Sequence, residues 1–221
     1  MKVHGLIMSP NVRKVIVALN AKGIAFTNVP VVPGTDTPEF LEISPRGLIP
    51  AFEDGDFAVS DSAVIMEYLE EKFPETKLMP ANPRDRARSR WFTEYGGSVV
   101  FPPCGTIFMQ LMANPYYYKR PTDHAAVVEA ISETLPPILD YLESQVPGTG
   151  FLFGDLGIAD ISLLSPFINA EYGGYVIDEA RWPKMAAYMT RAKAHPAFVK
   201  CLEDEAAVRQ SLMSGAAANP R

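Results

Sequence analysis

Apolar and polar residues alternate with two different periods along the chain, and the period changes near residue 80. Before that point, short apolar runs predict strands at residues 2–7, 26–32, 48–52 and 57–59. Apolar positions three and four apart predict helices at residues 11–22, 39–43 and 61–73. The β-α-β order, followed by a hairpin and a helix, predicts a thioredoxin-like α/β unit whose first two strands are parallel.

The second part of the chain shows only the helical period. Helices are predicted at residues 84–112 (one long or broken helix), 123–145, 157–171, 181–195 and 196–209. Three prolines between residues 74 and 83 indicate a linker. We therefore expect an α/β domain at residues 1–75 and an all-α domain at residues 84–213, with a frayed tail at 214–221.

Composition narrows the class of protein. Apolar residues make up 48% of the 221 residues, which is enough for a buried core. The net charge of -6 and the isoelectric point near 5.1 argue against a nucleic-acid partner. Two cysteines are too few to staple the fold, and Pro10 interrupts the N-terminus before a secretory signal could form, so we expect a cytoplasmic protein with reduced thiols. His4, His124 and His195 lack the spacing of metal ligands, so no metal site is expected.

One uncharged stretch, residues 96–113, has a length that begins to suggest a membrane span. Pro102, Pro103 and Gly105 interrupt it in the middle. We therefore expect this stretch to form the wall of an apolar pocket, and we expect no membrane association.

The most informative segment is residues 44–74. Pro50 stands inside an apolar run, which predicts either an edge strand or a cis bond that leaves a neighbouring backbone amide available to a ligand. Asp61 and Ser62 then open a helix, where the amides and the helix dipole favour anionic groups. A carboxylate and a hydroxyl at that position suit a zwitterion or a peptide, although plain helix capping explains the same two residues.

Five motifs in order give the chain a resemblance to a known family. They read MSPNVRKV, SPRGLIPAF, SDSAVIMEYLEEKFP, FLFGDLGIADISL and WPKMAAYMTRAKAHPAF. Together they resemble the soluble glutathione transferases of the serine type (phi-like, theta-like or bacterial), up to about residue 205. The resemblance implies a thioredoxin-like domain followed by an all-helical one, glutathione as co-substrate, a small hydrophobic electrophile as second substrate, and a homodimer.

The resemblance also implies roles for individual residues. Ser9 takes the position of the hydroxyl that stabilises the glutathione thiolate, and Asn11 takes a position that assists it in some bacterial members. Because a thiolate gains from hydrogen bonds and a helix N-terminus, that position would lower the thiol pKa. The alternative is that Ser9 and Asn11 only form a strand-to-helix turn with an N-cap.

Four further residues correspond to the glutathione site of the family. Ile49, before Pro50, would pair its backbone with the cysteinyl part of glutathione. Asp61 would bind the γ-glutamyl ammonium and Ser62 the carboxylate. For the second substrate, the expected pocket residues are Phe101, Cys104, Phe108 and Met112.

Three departures from the family pattern affect these expectations. Asp36 lies in a loop where relatives often carry a cation for the glycine carboxylate, and Leu48 stands where a Gln is common. Gly157 replaces a Ser or Thr at a helix start, with Asp160 three residues on. Two alternatives to conjugation therefore stay open: glutathione-dependent disulfide reduction or reductive cleavage, and a non-catalytic binding module of the same fold.

Overall fold

The computed structural model describes residues 1–214. The predicted tail at 214–221 therefore lies, apart from Ser214, outside the described residues. The N-terminal part contains four strands, β1 (Lys2–His4), β2 (Thr27–Val29), β3 (Ala51–Asp54) and β4 (Phe57–Ser60), and three helices, α1 (Pro10–Lys22), α2 (Pro38–Ile43) and α3 (Ser62–Lys72).

The strands form one sheet in the order β2-β1-β3-β4. β1 pairs with β2 in parallel, as predicted from the crossover, and the other neighbours are antiparallel. In the hairpin Asp54 pairs with Phe57, so Gly55 and Asp56 form a two-residue turn. Gly55 has a φ of 67°, a conformation that glycine adopts without steric cost.

Three predicted strands are shorter in the structure. β2 ends at Val29 because Pro30 has no amide hydrogen with which to continue the ladder. β1 ends at His4, where Gly5 takes a φ of 150° and the chain turns into a loop. β3 begins after Pro50, and the Ile49–Pro50 bond is cis. Because β3 lies between β1 and β4, the edge-strand alternative for Pro50 is wrong.

From Pro83 onward the described chain is helical apart from loops and two isolated bridges. The α-helices are α4 (Pro83–Tyr95), α5 (Phe101–Phe108), α6 (His124–Glu129), α7 (Leu135–Gln145), α8 (Ile158–Tyr172), α9 (Pro183–Ala194) and α10 (Pro196–Met213). Three π-helical segments join some of them: π1 (Gly96–Val100), π2 (Met109–Tyr118) and π3 (Ala130–Thr134). The predicted long helix at 84–112 thus continues to Tyr118.

Prolines explain where the π-helical segments occur. Pro102 and Pro103 follow π1, Pro115 lies inside π2, and Pro136 and Pro137 follow π3. A proline cannot donate to the carbonyl four residues earlier, so the hydrogen-bond register of the preceding turn must change. π-helical turns of this kind are frequent at functional sites.

α8 is the centre of the hydrophobic core. Its residues from Ile158 to Ala170 are buried, and it packs against α1, α4 and α5. Gly96 of π1 allows a close approach, because a Cβ there would lie 2.6 Å from the Ser162 carbonyl oxygen. At the start of α8 the Asp160 carboxylate accepts a hydrogen bond from the Gly157 amide at 2.8 Å, so the glycine is compatible with a capped helix.

Candidate functional site

A cavity of about 840 Å³ lies between the N-terminal sheet and the helices. The β1–α1 loop forms one wall, and π2, α5 and α10 form the others. Its lining includes Leu6, Ile7, Met8, Ser9, Pro10, Ile49, Phe101, Phe108, Met109, Met112, Tyr116, Tyr117, Tyr118 and Asn169. Such a space accepts a bulky apolar molecule beside a few polar groups.

Ser9 is the polar residue at the start of α1. It occupies the N-cap position, yet its hydroxyl makes no capping hydrogen bond, and Pro10 follows at the first helical position. Its amide donates to the Leu6 carbonyl at 2.9 Å, and its own carbonyl accepts from the Arg13 amide at 2.9 Å. The backbone of Ser9 is therefore held firmly, while its hydroxyl is not used in capping, and the residue lines the cavity at the positive end of the helix dipole.

Ile49 is the second predicted glutathione-site residue that reaches the cavity. A Cβ built on Gly5 would lie only 3.1 Å from the Ile49 Cβ, so Ile49 packs directly against the loop that carries Ser9. Pro50 is buried behind it. The bond between Ile49 and Pro50 is cis, and Ile49 lies in the loop just before β3 rather than inside a strand.

Asp61 and Ser62 lie next to this pair, although neither lines the cavity. Ala51 pairs with Ser60, so extending the register by one residue brings Asp61 beside Pro50. Asp61 has a φ of 83°, which is uncommon for a residue other than glycine. Its Oδ1 accepts from the amides of Ala63 and Val64 at 2.8 and 3.2 Å, so capping uses one carboxylate oxygen and leaves Oδ2 exposed.

Asn11 has a different environment from the one predicted. It does not line the cavity, and its Oδ1 accepts a hydrogen bond from Lys14 Nζ at 3.0 Å. Burial lowers the pKa of Lys14 to about 8, and the nearby carboxylates of Asp61 and Glu94 only partly counter that effect. Asn11 and Lys14 therefore connect α1 with the Asp61 side of the site.

Cys104, which the sequence predicts as a pocket residue, is placed elsewhere by the structure. Its side chain is fully buried in the hydrophobic core and does not line the cavity, whereas Phe101, Phe108 and Met112 do. On α5, Cys104 is three positions from Phe101 and four from Phe108, so the three residues are neighbours on the helix surface. The Cys104 side chain nevertheless packs in the hydrophobic core. Burial raises the pKa of the Cys104 thiol well above its ordinary value, which disfavours a reactive thiolate.

A buried polar network behind the loop was not predicted. Arg13, fully buried, donates to Glu205 of α10, and to the Ser165 carbonyl and the Asn169 side chain of α8. Asn169 in turn donates to the Met8 carbonyl at 2.9 Å. The sequence does contain a signal, since Arg13 lies three and four positions before Ile16 and Val17 and so shares a helix face with apolar residues, and a buried arginine requires partners.

Among residues 1–214, no group of three or more His, Cys, Asp and Glu side chains could hold a metal ion. In the same residues, no helix is long and apolar enough to cross a membrane.

Family models and relatives give an independent view of the chain. The model described as "Glutathione S-transferase, N-terminal domain" matches residues 3–77, and "Glutathione S-transferase, C-terminal domain" matches residues 125–191. Glutathione S-transferase 3 of Zea mays is 33% identical over 90% of this chain and 92% of its own. A zeta class glutathione S-transferase of Euphorbia esula is 42% identical over 93% and 91%. The maleylacetoacetate isomerase of Pseudomonas aeruginosa is 29% identical over 90% and 92%.

A solved structure agrees with these matches. Glutathione S-transferase-I bound with lactoylglutathione superposes with a TM-score of 0.80 and 25% identity, covering 90% of this chain and 97% of that chain. The predicted fold, a thioredoxin-like α/β part followed by a helical part, is confirmed.

Proposed function

The chain belongs to the glutathione S-transferase family of enzymes, which use glutathione as co-substrate, and from that premise we propose that it joins the glutathione thiolate to a bulky apolar electrophile. The observation that carries the proposal is the Ser9 hydroxyl, which takes no part in capping α1 although it stands at the N-cap, and which borders an apolar cavity of about 840 Å³. We propose accordingly that the enzyme is of the serine type.

In this proposal Ser9 donates a hydrogen bond to the glutathione sulfur. The thiol releases its proton to solvent, because the hydroxyl and the start of α1 stabilise the negative charge. The sulfur then attacks the electrophilic carbon, a C–S bond forms, and the leaving group departs with its electron pair. Holding both reactants in one cavity contributes through orientation as well as through the thiol pKa.

The rest of glutathione extends from Ser9 toward α3. The backbone amide and carbonyl of Ile49 pair with its cysteinyl unit beside Pro50, and the uncommitted Oδ2 of Asp61 binds the γ-glutamyl ammonium. Ser62 binds the γ-glutamyl carboxylate at the start of α3. Asn11 has a supporting role at most, since its side-chain oxygen is bonded to Lys14.

The second substrate lies against Phe101, Phe108 and Met112. The cavity is lined mainly by aromatic, Met and aliphatic side chains, which favours a large aromatic electrophile. Among the residues that line it there is no cysteine, and both cysteines of the chain are buried. That composition favours conjugation over a thiol–disulfide exchange that uses a protein thiol.

Glutathione-dependent isomerisation is a second candidate, because one relative with similar coverage is a maleylacetoacetate isomerase. The two reactions differ in one measurable quantity. Conjugation consumes glutathione thiol in proportion to product, whereas isomerisation returns it unchanged. We favour conjugation because Lys119 is the one cationic side chain among the described lining residues, and Glu203 and Asp204 also line the cavity, which disfavours a carboxylate-rich substrate.

We extend the proposal to a homodimer. Val64 on α3 and Trp91 on α4 are large apolar side chains that are about half exposed, and the Arg90–Glu67 ion pair joins the same two helices. Such exposed apolar side chains are typical of a contact surface. Sedimentation of the full chain at micromolar concentration checks this expectation.

The test is a glutathione titration by calorimetry on the wild type, Ser9→Ala and Ser9→Thr, with the pKa of the bound thiol followed by ultraviolet absorbance. We expect the wild type to hold that pKa below the free value of about 8.5, and Ser9→Ala to bind glutathione but lose this effect. Ser9→Thr keeps a hydroxyl and should retain most of it. Absence of binding by the wild type at millimolar glutathione, or equal thiol pKa values in wild type and Ser9→Ala, would refute the proposal.

A further inference from the structure

We propose that Asn169 is a positioning residue for Ser9, and that the buried Arg13–Glu205 pair fixes the orientation of its amide. The inference rests on the proposed role of Ser9 in thiolate stabilisation. It concerns Asn169 of α8, which lines the inner end of the cavity, and Arg13 of α1 and Glu205 of α10, which do not line it. It assigns these residues a contribution to the reaction in addition to packing.

The first step is the orientation of the Asn169 side chain. Its Oδ1 accepts from Arg13 Nη1 at 2.6 Å, and its Nδ2 donates to the Met8 carbonyl at 2.9 Å. A guanidinium can only donate hydrogen bonds, so the amide oxygen must face Arg13. The NH₂ group is therefore forced toward Met8, and the reversed amide would place donor against donor and acceptor against acceptor.

The second step is the rigidity of Arg13. Its Nε and Nη2 donate to the two carboxylate oxygens of Glu205 at 2.7 and 2.5 Å, which is a bidentate pair. Its Nη1 also donates to the Ser165 carbonyl at 2.7 Å. Glu205 is held from the other side by the Tyr172 hydroxyl at 2.7 Å. Arg13, Asn169 and Glu205 are fully buried, so water does not compete for these contacts.

The third step leads to Ser9. The Met8 carbonyl and the Ser9 amide belong to one planar peptide unit. Asn169 holds the oxygen end of that plane, and the Ser9 amide holds the other end through its hydrogen bond to the Leu6 carbonyl at 2.9 Å. The Met8–Ser9 peptide plane is thus fixed at both ends. Its orientation sets the direction in which the Ser9 side chain projects.

A further amide anchors the beginning of the same loop. Asn28 Nδ2 donates to the carbonyls of Val3 and Gly5 at 2.9 and 3.1 Å. Removing the Asn169 contact would therefore leave the loop attached at its start and at the Ser9 amide, but without its anchor at the Met8 carbonyl. A displacement of about 1 Å in a catalytic group can cost about 10²-fold in rate.

The decisive variant is Asn169→Asp, which keeps the shape and the acceptor for Arg13 but loses the donor to Met8. We expect the pKa of bound glutathione thiol to rise by about half to one unit and kcat with a neutral chlorodinitrobenzene to fall about 10-fold at pH 6.5, because thiolate stabilisation depends on hydrogen-bond geometry. The dissociation constant of glutathione should change less than about threefold, since Ile49, Asp61 and Ser62 are untouched. Arg13→Lys, which cannot bond Glu205, Ser165 and Asn169 together, should give an intermediate rise in the thiol pKa.

Ser165→Ala is the matched control. Its hydroxyl bonds only within α8, to the Ile161 carbonyl at 2.7 Å, and its backbone carbonyl still accepts from Arg13. It removes a buried polar group one turn from Asn169, and we expect wild-type thiol pKa and kcat. An equal loss in Ser165→Ala, or a wild-type thiol pKa in Asn169→Asp, overturns the inference.

The double variant Ser9→Ala/Asn169→Asp separates this inference from the proposed function. If Asn169 acts through Ser9, the second substitution should not change the thiol pKa further. An additive rise in the double variant overturns the inference and leaves the role of Ser9 intact. If Ser9→Ala alone leaves the thiol pKa at the wild-type value, the proposed function itself fails.

Discussion

Arg13 and Lys14 are consecutive cations on α1 with opposite surroundings. Both are buried, with 0% and 3% of their surfaces exposed. Arg13 points toward α8 and α10 and donates four hydrogen bonds. Lys14 points toward Asp61 and Glu94, and its Nζ donates one hydrogen bond, to Asn11.

The pKa of Arg13 is raised and the pKa of Lys14 is lowered, because burial and the nearby carboxylates balance differently at the two cations. Burial lowers the pKa of each cation, but the Glu205 carboxylate outweighs burial at Arg13 and raises its pKa. At Lys14 burial prevails, and the pKa falls to about 8 despite Asp61 and Glu94. A planar fork fits several acceptors at fixed angles, whereas an ammonium with one partner stays poorly compensated. One face of α1 is therefore held in a buried hydrogen-bond network, and the other carries a poorly compensated ammonium beside the proposed glutathione site.

The largest effect on stability should come from removing Glu205 from the buried Arg13–Glu205 ion pair. We expect Glu205→Leu to destabilise the fold by about 3–5 kcal/mol, because it leaves the Arg13 guanidinium buried without its counter-charge. Urea unfolding measures the loss. The double variant Arg13→Met/Glu205→Leu should recover most of it, since an apolar pair carries no unpaired charge. Equal stabilities of the single and double variants would show that Arg13 does not depend on Glu205.

The proposed glutathione side of this comparison rests on sequence signals that are local. Ser9 follows a strand and precedes Pro10, and Asp61 opens a helix after a two-residue hairpin. Each of these positions is fixed by turn chemistry within a few residues. The element order was predictable for the same reason, and the strand ends were misjudged where Pro30 removed a donor.

The network side could not be predicted in the same way. Glu205 and Asn169 meet Arg13 across 192 and 156 positions of sequence, and no local pattern pairs them. Cys104 lies in the core although the next residue, Gly105, lines the cavity, and no local pattern distinguishes these two sides of α5. α5 packs against α8, and this tertiary contact rather than the local sequence determines which side of α5 is buried.

Lys14→Met should stabilise the protein, in contrast to Glu205→Leu. The Lys14 pKa of about 8 lies below its ordinary 10.5, and each unit corresponds to about 1.4 kcal/mol, so the gain at pH 7 is about 3 kcal/mol. The folded state binds fewer protons than the unfolded state between these two values, so wild-type stability rises with pH across that window. The advantage of Met should therefore be complete below pH 8 and disappear by about pH 10.5.

Lys200, an exposed lysine on α10, provides the control for this experiment. Urea unfolding of Lys200→Met should match the wild type at every pH. A Lys14→Met variant that is no more stable than the wild type at pH 7 would mean that Lys14 has a compensating partner, and the contrast with Arg13 would fail.

Arg46 is a third cation, and its environment differs from those of Arg13 and Lys14. It is exposed, and among residues 1–214 it forms no hydrogen bond or ion pair. Its turn lies against the loop that contains Asp36, because the Gly34 amide donates to the Gly47 carbonyl at 2.8 Å. We expect Arg46 to supply the charge for the glycine carboxylate of glutathione that Asp36 cannot supply.

Arg46→Met should weaken glutathione binding about fivefold, with the difference shrinking at high salt, as is usual for an exposed charge pair. Calorimetry at low and high ionic strength measures both quantities. Arg84→Met, an exposed arginine at the start of α4, is the control and should bind like the wild type. An equal change in both variants would indicate a general charge effect rather than a contact.

The smallest effect concerns the charges at the cavity rim, which differ from Arg13 and Lys14 in being exposed. Glu203 and Asp204 of α10 line the cavity and should repel an anionic second substrate. Water and salt screen such charges, so Glu203→Gln/Asp204→Asn should raise kcat/KM for a chloronitrobenzoate only about two- to threefold relative to the uncharged chloronitrobenzamide. The ratio of the two substrates cancels any effect on glutathione itself. An unchanged ratio at low salt would mean that the carboxylate of the bound substrate lies beyond the reach of Glu203 and Asp204 and that shape alone selects the substrate.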